Sequence, residues 1–333
     1  PTFPLFALFA PALGMTALIP RMDFTRPGSV DPEQIIGPAN RFRATTMFGS
    51  PALINRVGRY GSAKGAKLAT VKRVISAGAP VSPKVLERFA AMLPEGAEIF
   101  TPYGATEALP VCSIGSREIL GETRRITDAG GGVCVGMPVE GIRLEIIEIS
   151  DQPIPVWDDA LRVPLGRIGE IVVQGPQVTA GYFNNPEADL ASKIDDPESG
   201  GYFHRMGDLG GKDEKGRIWF CGRKSHRVET GSATLFTIPC EAVFNTHPAV
   251  FRTALVGVGV KGHQRPVICV ELEKGCKTGR DTIRQELLAI AKSHIHTHEI
   301  DTFLIHPSFP VDIRHNAKIF REKLAIWAGK RLK

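Results

Sequence analysis

The sequence predicts an α/β fold: a doubly wound sheet with a small β-subdomain beside it, followed by a small α+β C-terminal domain. Three observations carry this. Val71–Ser76 and Glu98–Phe100 are apolar strand patterns separated by a helical stretch that Ser82-Pro83 opens, the strand–helix–strand unit of a parallel sheet. From Gly130 the texture changes to Gly-rich turns and alternating strands. After Ser225 the pattern resets into short strands and helices over about a hundred residues, a usual domain size. The expected organisation is a larger body over 1–222, a hinge over 223–227 and a mobile module over 228–333.

The elements follow in order. The opening PTFPLFALFAPALGMTALIP is apolar enough to imitate a signal or a membrane span, but Pro4, Pro11 and Gly14 interrupt it and no basic region precedes it. It reads as a buried helix, with a short β-like run at Thr16–Ile19 and no transmembrane segment expected. Asp31-Pro32-Glu33 opens a helical turn to Gly37, Ala44–Gly49 is a buried strand, and Ser50-Pro51 starts a helix to about Tyr60. Gly61–Gly65 is a small, basic loop, and the helix from Ser82-Pro83 runs to about Met92. Val133–Pro138, Ile142–Ile149 and Gly166–Gly175 are the strands and turns of the subdomain; Tyr202–Gly210 is an aromatic strand and turn, and Asp213–Phe220 a hairpin. Pro239–His247 is a helix, Thr253–Val258 and Pro266–Leu272 are strands, and Asp281–His298 is a longer helix with Ile283, Leu287, Leu288, Ala291 and Ile295 on one face. Thr302–Ile305 is the last strand.

Composition narrows the class. A net charge of +6, clustered only at Lys64–Arg73 and Lys330–Lys333, suits anionic ligands or a membrane surface. No helix-turn-helix, finger or aromatic-basic motif accompanies it, so no nucleic-acid partner is expected. The six cysteines are scattered with no CxxC pair, which fits reduced thiols in a cytoplasmic protein rather than disulfides or a zinc site. The first residue is Pro1 rather than Met, so the chain reads as a fragment, a processed form or the ordered part of something longer.

Chemistry concentrates in Thr101-Pro102-Tyr103-Gly104-Ala105-Thr106-Glu107. Turn residues there bring a hydroxyl and a carboxylate to the C-terminal end of a strand, where open α/β sheets place ligands. A Thr beside a Glu suits a nucleotide phosphate with Mg²⁺; an ordinary strand-to-loop turn has the same pattern. The small residues Ala77-Gly78-Ala79-Pro80 after the earlier strand let a flat ligand approach backbone. Gly207-Asp208 in a turn suits a two-point grip on ribose hydroxyls.

In order, SAGAP, YGATE, GEIVVQGPQVTAGY, YFHRMGD, GRKS and HNAKIFREKL resemble the motifs of the adenylate-forming superfamily of acyl-CoA synthetases, luciferases and adenylation domains. The resemblance covers essentially the whole chain. It implies ATP/AMP and Mg²⁺ as cofactors, with Ala77, Gly78, Ala79 and Tyr103 at the adenine, Pro80 and Gly104 among the cofactor-binding residues, and Thr106 at the α-phosphate. Glu107 would hold Mg²⁺, Asp208 and Arg223 the ribose, and Lys318 the acyl carboxylate and phosphate oxygens. The departures are a missing Ser/Thr/Gly-rich phosphate loop, which leaves the large domain partial, Met206 for the usual Thr, Ser225 for the usual hinge residue, an atypical loop over Val228–Pro239, and Asn316-Ala317 for Ser-Gly.

Within the superfamily, MFGSPAL, TPYGATEALPV and PVDIRHNAKIFREKL are most similar to the branch that makes β-lactones from long-chain 2-alkyl-3-hydroxy acids in bacterial olefin biosynthesis. That branch implies a long-chain hydroxy acid as substrate, thiolase-like and reductase enzymes as pathway partners, and a cytoplasmic protein that associates with membrane in a complex. The alternatives are a long-chain fatty acyl-CoA ligase or fatty acyl-AMP ligase, or a non-catalytic binding partner. Phe3, Phe6, Phe9 and Phe48 read either as the lining of an acyl pocket or as simple core.

Overall fold

The computed structural model describes residues 1–3, 6–312 and 318–332, and is mixed α/β. It divides into two compact units. The first comprises Pro1–Pro102, Ile114–Arg124 and Val311–Ile319; the second comprises Tyr103–Ser113, Arg125–Pro310 and Phe320–Lys333.

In the first unit β1 (Thr46–Phe48), β2 (Arg73–Ile75) and the start of β3 (Glu98–Ala105) pair in parallel, with Met47 opposite Val74 and Val74 opposite Ile99. All three side chains are buried, as continuous apolar runs in a covered parallel sheet should be. The helices Pro51–Lys64 and Pro83–Ala90 make the crossovers. Ser50 Oγ accepts from the Leu53 amide at 3.4 Å to start the first of them, and Gly65 ends it at φ +66°. Gly61–Lys64, expected as a loop, is therefore its last turn. A Cβ on Gly61 would lie 2.2 Å from the Met92 sulfur, so glycine there serves close packing.

Three further expectations for this unit are corrected. Thr16–Ile19 forms no strand, and the helix from Glu33 runs past Gly37 to Arg41 with Pro38 inside it. The opening helix, Phe6–Ala12, is not buried: Ala10 is its one buried residue, and Leu8 is 72% exposed. Pro4 lies outside the described residues.

In the second unit β4 (Ala108–Gly115), β5 (Val133–Pro138), β6 (Arg143–Ile147), β7 (Gly169–Gln174), β8 (Lys193–Asp196), β9 (Gly201–Lys212) and β10 (Ile218–Arg223) form an antiparallel array. Its order is β4-β5-β10-β9-β7-β6, with β8 added to β9. Its core packs Val111, Cys112, Ile171, Val173, Met206 and Ile218 together. Tyr202–Gly210, expected as a strand and a turn, lies within one continuous β9. Gly207 at φ +65° and a register shift opposite Phe220/Gly222 bend the strand without ending it.

Beyond Arg223 come the ribbon β11 (Val228–Glu229) and β12 (Thr234–Leu235), then β13 (Val250–Val258) antiparallel to β14 (Arg265–Leu272), with β15 (Phe303–Ile305) parallel to β14. The helices Thr237–Asn245 and Arg280–Lys292 enclose a core of Val228, Phe244, Leu255, Ile268, Leu287 and Phe303. The helix expected to reach His298 stops at Lys292. Ser293 Oγ donates to the Ile290 carbonyl at 2.8 Å and His294 Nδ1 lies 3.1 Å from the same oxygen, which competes with the next helical turn. His294, His296 and His298 therefore do not alternate along a helix. Among the described residues no helix is long and apolar enough to cross a membrane.

Candidate functional site

The second unit assembles a carboxylate site from β3, β9 and β10. The bend at Gly207 puts Asp208 next to Arg223, its Cα partner across β9 and β10. Arg223 Nη1 donates to Asp208 Oδ1 at 2.8 Å, and the Tyr103 hydroxyl donates to Oδ2 at 2.7 Å. Asp208 is buried, 4% exposed, while the Arg223 side chain is half open to solvent. Burial first, and then the Asp208 charge, raise the Tyr103 hydroxyl well above its ordinary range, so it stays a donor. Arg223 and Tyr103, one on each oxygen, fix the orientation of the carboxylate, a group that accepts hydroxyl donors.

Pro102 and Gly104, expected as turn residues, lie within β3, and the turn is Thr106-Glu107 between β3 and β4. A Cβ on Gly104 would sit 2.6 Å from the Ala108 carbonyl oxygen, so the tight hairpin requires glycine there. At its tip Thr106 is exposed and Glu107 half-buried. The Tyr182 hydroxyl donates to Glu107 Oε1 at 2.9 Å, and the Thr179 amide donates to the Glu107 carbonyl at 2.8 Å. Burial alone would raise the Glu107 carboxyl, but its own backbone amide, Tyr182 and nearby His204 hold it below its ordinary range.

Among the described residues no three His, Cys, Asp or Glu side chains group as a metal cage. One ionised carboxylate beside an exposed hydroxyl instead fits Mg²⁺, which keeps waters and substrate phosphates among its ligands.

The adenine turn belongs to the first unit. Ala77-Gly78-Ala79-Pro80 follow β2 without regular structure, and Gly78 adopts φ +103°, a conformation side chains rarely take. Ser76, just before them, is buried and its Oγ has no partner. An orphaned buried hydroxyl under a turn of small residues fits a polar ligand group arriving there. Lys318 is exposed and also belongs to the first unit; its carbonyl accepts from the Asp312 amide at 2.9 Å. His315, Asn316 and Ala317 of that motif lie outside the described residues. Phe6 packs against Phe48 at 4.3 Å between centroids, with Phe3 and Phe9 each about half exposed beside it.

Met206, which departs from the superfamily pattern, is 4% exposed in the apolar core, so its side chain serves packing.

Three features went unseen in the sequence. Tyr182 bonds to Glu107 across 75 residues of chain, a pairing that no local pattern signals. His204 is buried, its Nδ1 has no partner, and burial then Lys193 push it down to about 4. The expected hinge is tied to the loop after β6. Arg205 and Lys224 both reach buried Glu170, at 2.7 and 3.0 Å, and both donate to the Ser150 carbonyl. Next to it Asp151 takes Arg227 at 2.6 Å and Lys261 at 2.5 Å.

Residues 3–183 match the model of the AMP-binding enzyme family. The chain is 50% identical to an olefin beta-lactone synthetase of Xanthomonas campestris over 99% of its own length and 59% of that protein. It is 49% identical to an olefin beta-lactone synthetase of Stenotrophomonas maltophilia over 100% of its own length and 60% of that protein. It thus spans about three-fifths of these curated relatives. Among solved structures, the amide bond synthetase McbA of Marinactinospora thermotolerans shares the fold, with a TM-score of 0.72 at 23% identity over 90% of this chain and 55% of that one.

Proposed function

The chain belongs to the family of AMP-binding enzymes, and on that premise we propose that it carries out, within a protein of its relatives' length, ATP-dependent closure of a long-chain 2-alkyl-3-hydroxy acid to a β-lactone. The observation that carries the reading is the half-identity to two olefin beta-lactone synthetases along the whole chain.

In the first step the substrate carboxylate attacks the α-phosphorus of ATP, an O–P bond forms and pyrophosphate leaves. In the second the β-hydroxyl oxygen attacks the acyl carbon, the four-membered ring closes, AMP leaves and the hydroxyl proton passes to solvent. Proximity favours the intramolecular attack, and loss of AMP offsets the ring strain.

The roles are proposed residue by residue. Asp208, steadied by Tyr103 and Arg223, accepts the ribose hydroxyls; Tyr103 and Gly104 are assigned to the nucleotide, and so, separately, is the Ala77–Pro80 turn. Thr106 donates to the α-phosphate. Glu107, held ionised by Tyr182, would hold Mg²⁺, which supplies charge neutralisation when two anions meet. Lys318 brings a mobile cation to the carboxylate. The Phe6–Phe48 cluster is proposed to face the alkyl chain. The substrate's 2-alkyl-3-hydroxy pattern calls for a thiolase-like condensing enzyme and a reductase upstream, working in the cytoplasm.

The test incubates a relative-length protein containing this chain with ATP, Mg²⁺ and a synthetic 2-alkyl-3-hydroxy acid, with and without CoA, products read by mass spectrometry. A β-lactone and AMP without CoA are expected. A thioester formed only with CoA would replace this reading with acyl-CoA ligation.

A further inference from the structure

Between Glu33 and Glu87 the sequence holds nine Lys or Arg and no Asp or Glu, although the whole chain is only +6. The remainder is therefore net acidic, and the positive charge of the molecule is concentrated in the first unit. The fold gathers most of it at one place. Asn40 ties the end of its helix to the following loop, its amide donating to the Lys67 carbonyl at 2.8 Å and its oxygen accepting from the Ala69 amide at 3.1 Å. The Thr45 carbonyl accepts from the amides of Lys72 and Arg73 at 2.8 and 3.1 Å, and Thr70 Oγ1 donates to the Ala44 carbonyl. These bonds bring Arg41, Arg43, Lys64, Lys67, Lys72 and Arg73 onto one ledge at the N-terminal ends of the parallel strands, all six exposed. Lys67 donates to the Ala91 carbonyl; the other five have no carboxylate partner among the described residues. Glu95 lies in the loop before β3, and Glu98 stands opposite Arg73 in register and accepts from the Arg117 amide.

At the tip, between Arg41 and Arg43, Phe42 is 59% exposed with the Arg41 guanidinium 5.4 Å from its ring centre. Unpaired cations around one outward aromatic match an anionic bilayer: phosphates for the cations and the headgroup boundary for the ring. A nucleic acid would be met by a groove-filling helix or stacked aromatics, and the ledge is formed of loops and strand ends with a single ring.

We propose that this ledge docks the protein reversibly on anionic phospholipid membrane. It lies at the opposite end of β2 from Ala77–Pro80, so docking leaves that turn uncovered. The inference stands on charge and shape alone; the proposed activity supplies only a use, since long-chain acids and their lactones partition into bilayers.

The test is co-sedimentation of the 333-residue chain with vesicles of phosphatidylcholine, alone or with about 30% phosphatidylglycerol. Binding to the anionic vesicles is expected in about 0.05 M salt and its loss in about 0.5 M. The triple variant Arg41→Glu, Arg43→Glu, Lys72→Glu should bind at least about tenfold more weakly, and Phe42→Ser several-fold more weakly. The pair Lys277→Glu, Lys292→Glu, on the C-terminal module, should bind as the parent does. Circular dichroism and melting confirm that each variant folds. No anionic-vesicle binding at low salt, equal binding by the triple variant, or capture by duplex DNA but not by vesicles would overturn the proposal. None of these readouts uses catalysis, so they are independent of the β-lactone assay.

Discussion

Arg223 and Tyr103 hold Asp208 in different ways. Arg223 adds charge and is partly exposed, whereas Tyr103 adds one part-buried neutral hydrogen bond. Tyr103→Phe removes that bond while the ring still packs near Phe220. AMP affinity, read by calorimetry, should fall about fivefold, matching a loss of about 1 kcal/mol. Unchanged affinity would detach Tyr103 from the nucleotide. His204 gives a pH signature. Its folded form titrates near 4 against an ordinary 6.5, so between these values the unfolded chain binds more protons. Its stabilising effect is complete above pH 6.5 and is lost as pH falls toward 4. Melting temperature should drop by several degrees across that window, and His204→Gln should flatten the slope. An identical slope in the variant would assign the loss to other groups.

The loop after β6 and the segment after β10 are joined by two adjacent anchors, the Ser150 carbonyl and the Asp151 carboxylate. Arg227 first, then Lys261, hold the Asp151 carboxyl well below its ordinary value. The contribution of this pair of bridges is therefore complete above pH 3.8 and fades as pH falls below it. Asp151 is half-exposed, so the bridges are worth at most about 1 kcal/mol and weaken with salt. Asp151→Asn should leave the melting temperature nearly unchanged but let trypsin cut after Arg227, which is only 7% exposed, several times faster. Equal cleavage rates would show that these bridges do not restrain the segment. None of this was legible from sequence, because Asp151 sits in a polar, proline-containing loop whose partners lie 76 and 110 residues on. What was legible was local: Ser50-Pro51 as a helix start, and Val133–Pro138 as a strand. Gly61 misled because a small residue in a basic stretch reads as a loop until the Met92 sulfur above it is known. Gly207-Asp208 reads as a turn in the sequence but lies within β9, because the bend depends on the register of β10.

At the scale of the molecule, the fold class was readable because strand and helix patterns alternate in the first hundred residues, whereas turns and strands follow one another from Gly130. We propose that residues 228–333 are a module of their own, supported by a core drawn from Val228 to Phe303. Its thiols have a practical consequence. All six cysteines are free; five are buried, and burial drives Cys112 and Cys221, for example, to about 12. Buried thiols that stay protonated react slowly with alkylating reagents. Cys276 alone is partly accessible, and it lies in the loop after β14. A single maleimide dye therefore goes to one known position on this chain without any mutation, and Cys276 is a ready attachment point for fluorescence distance measurements.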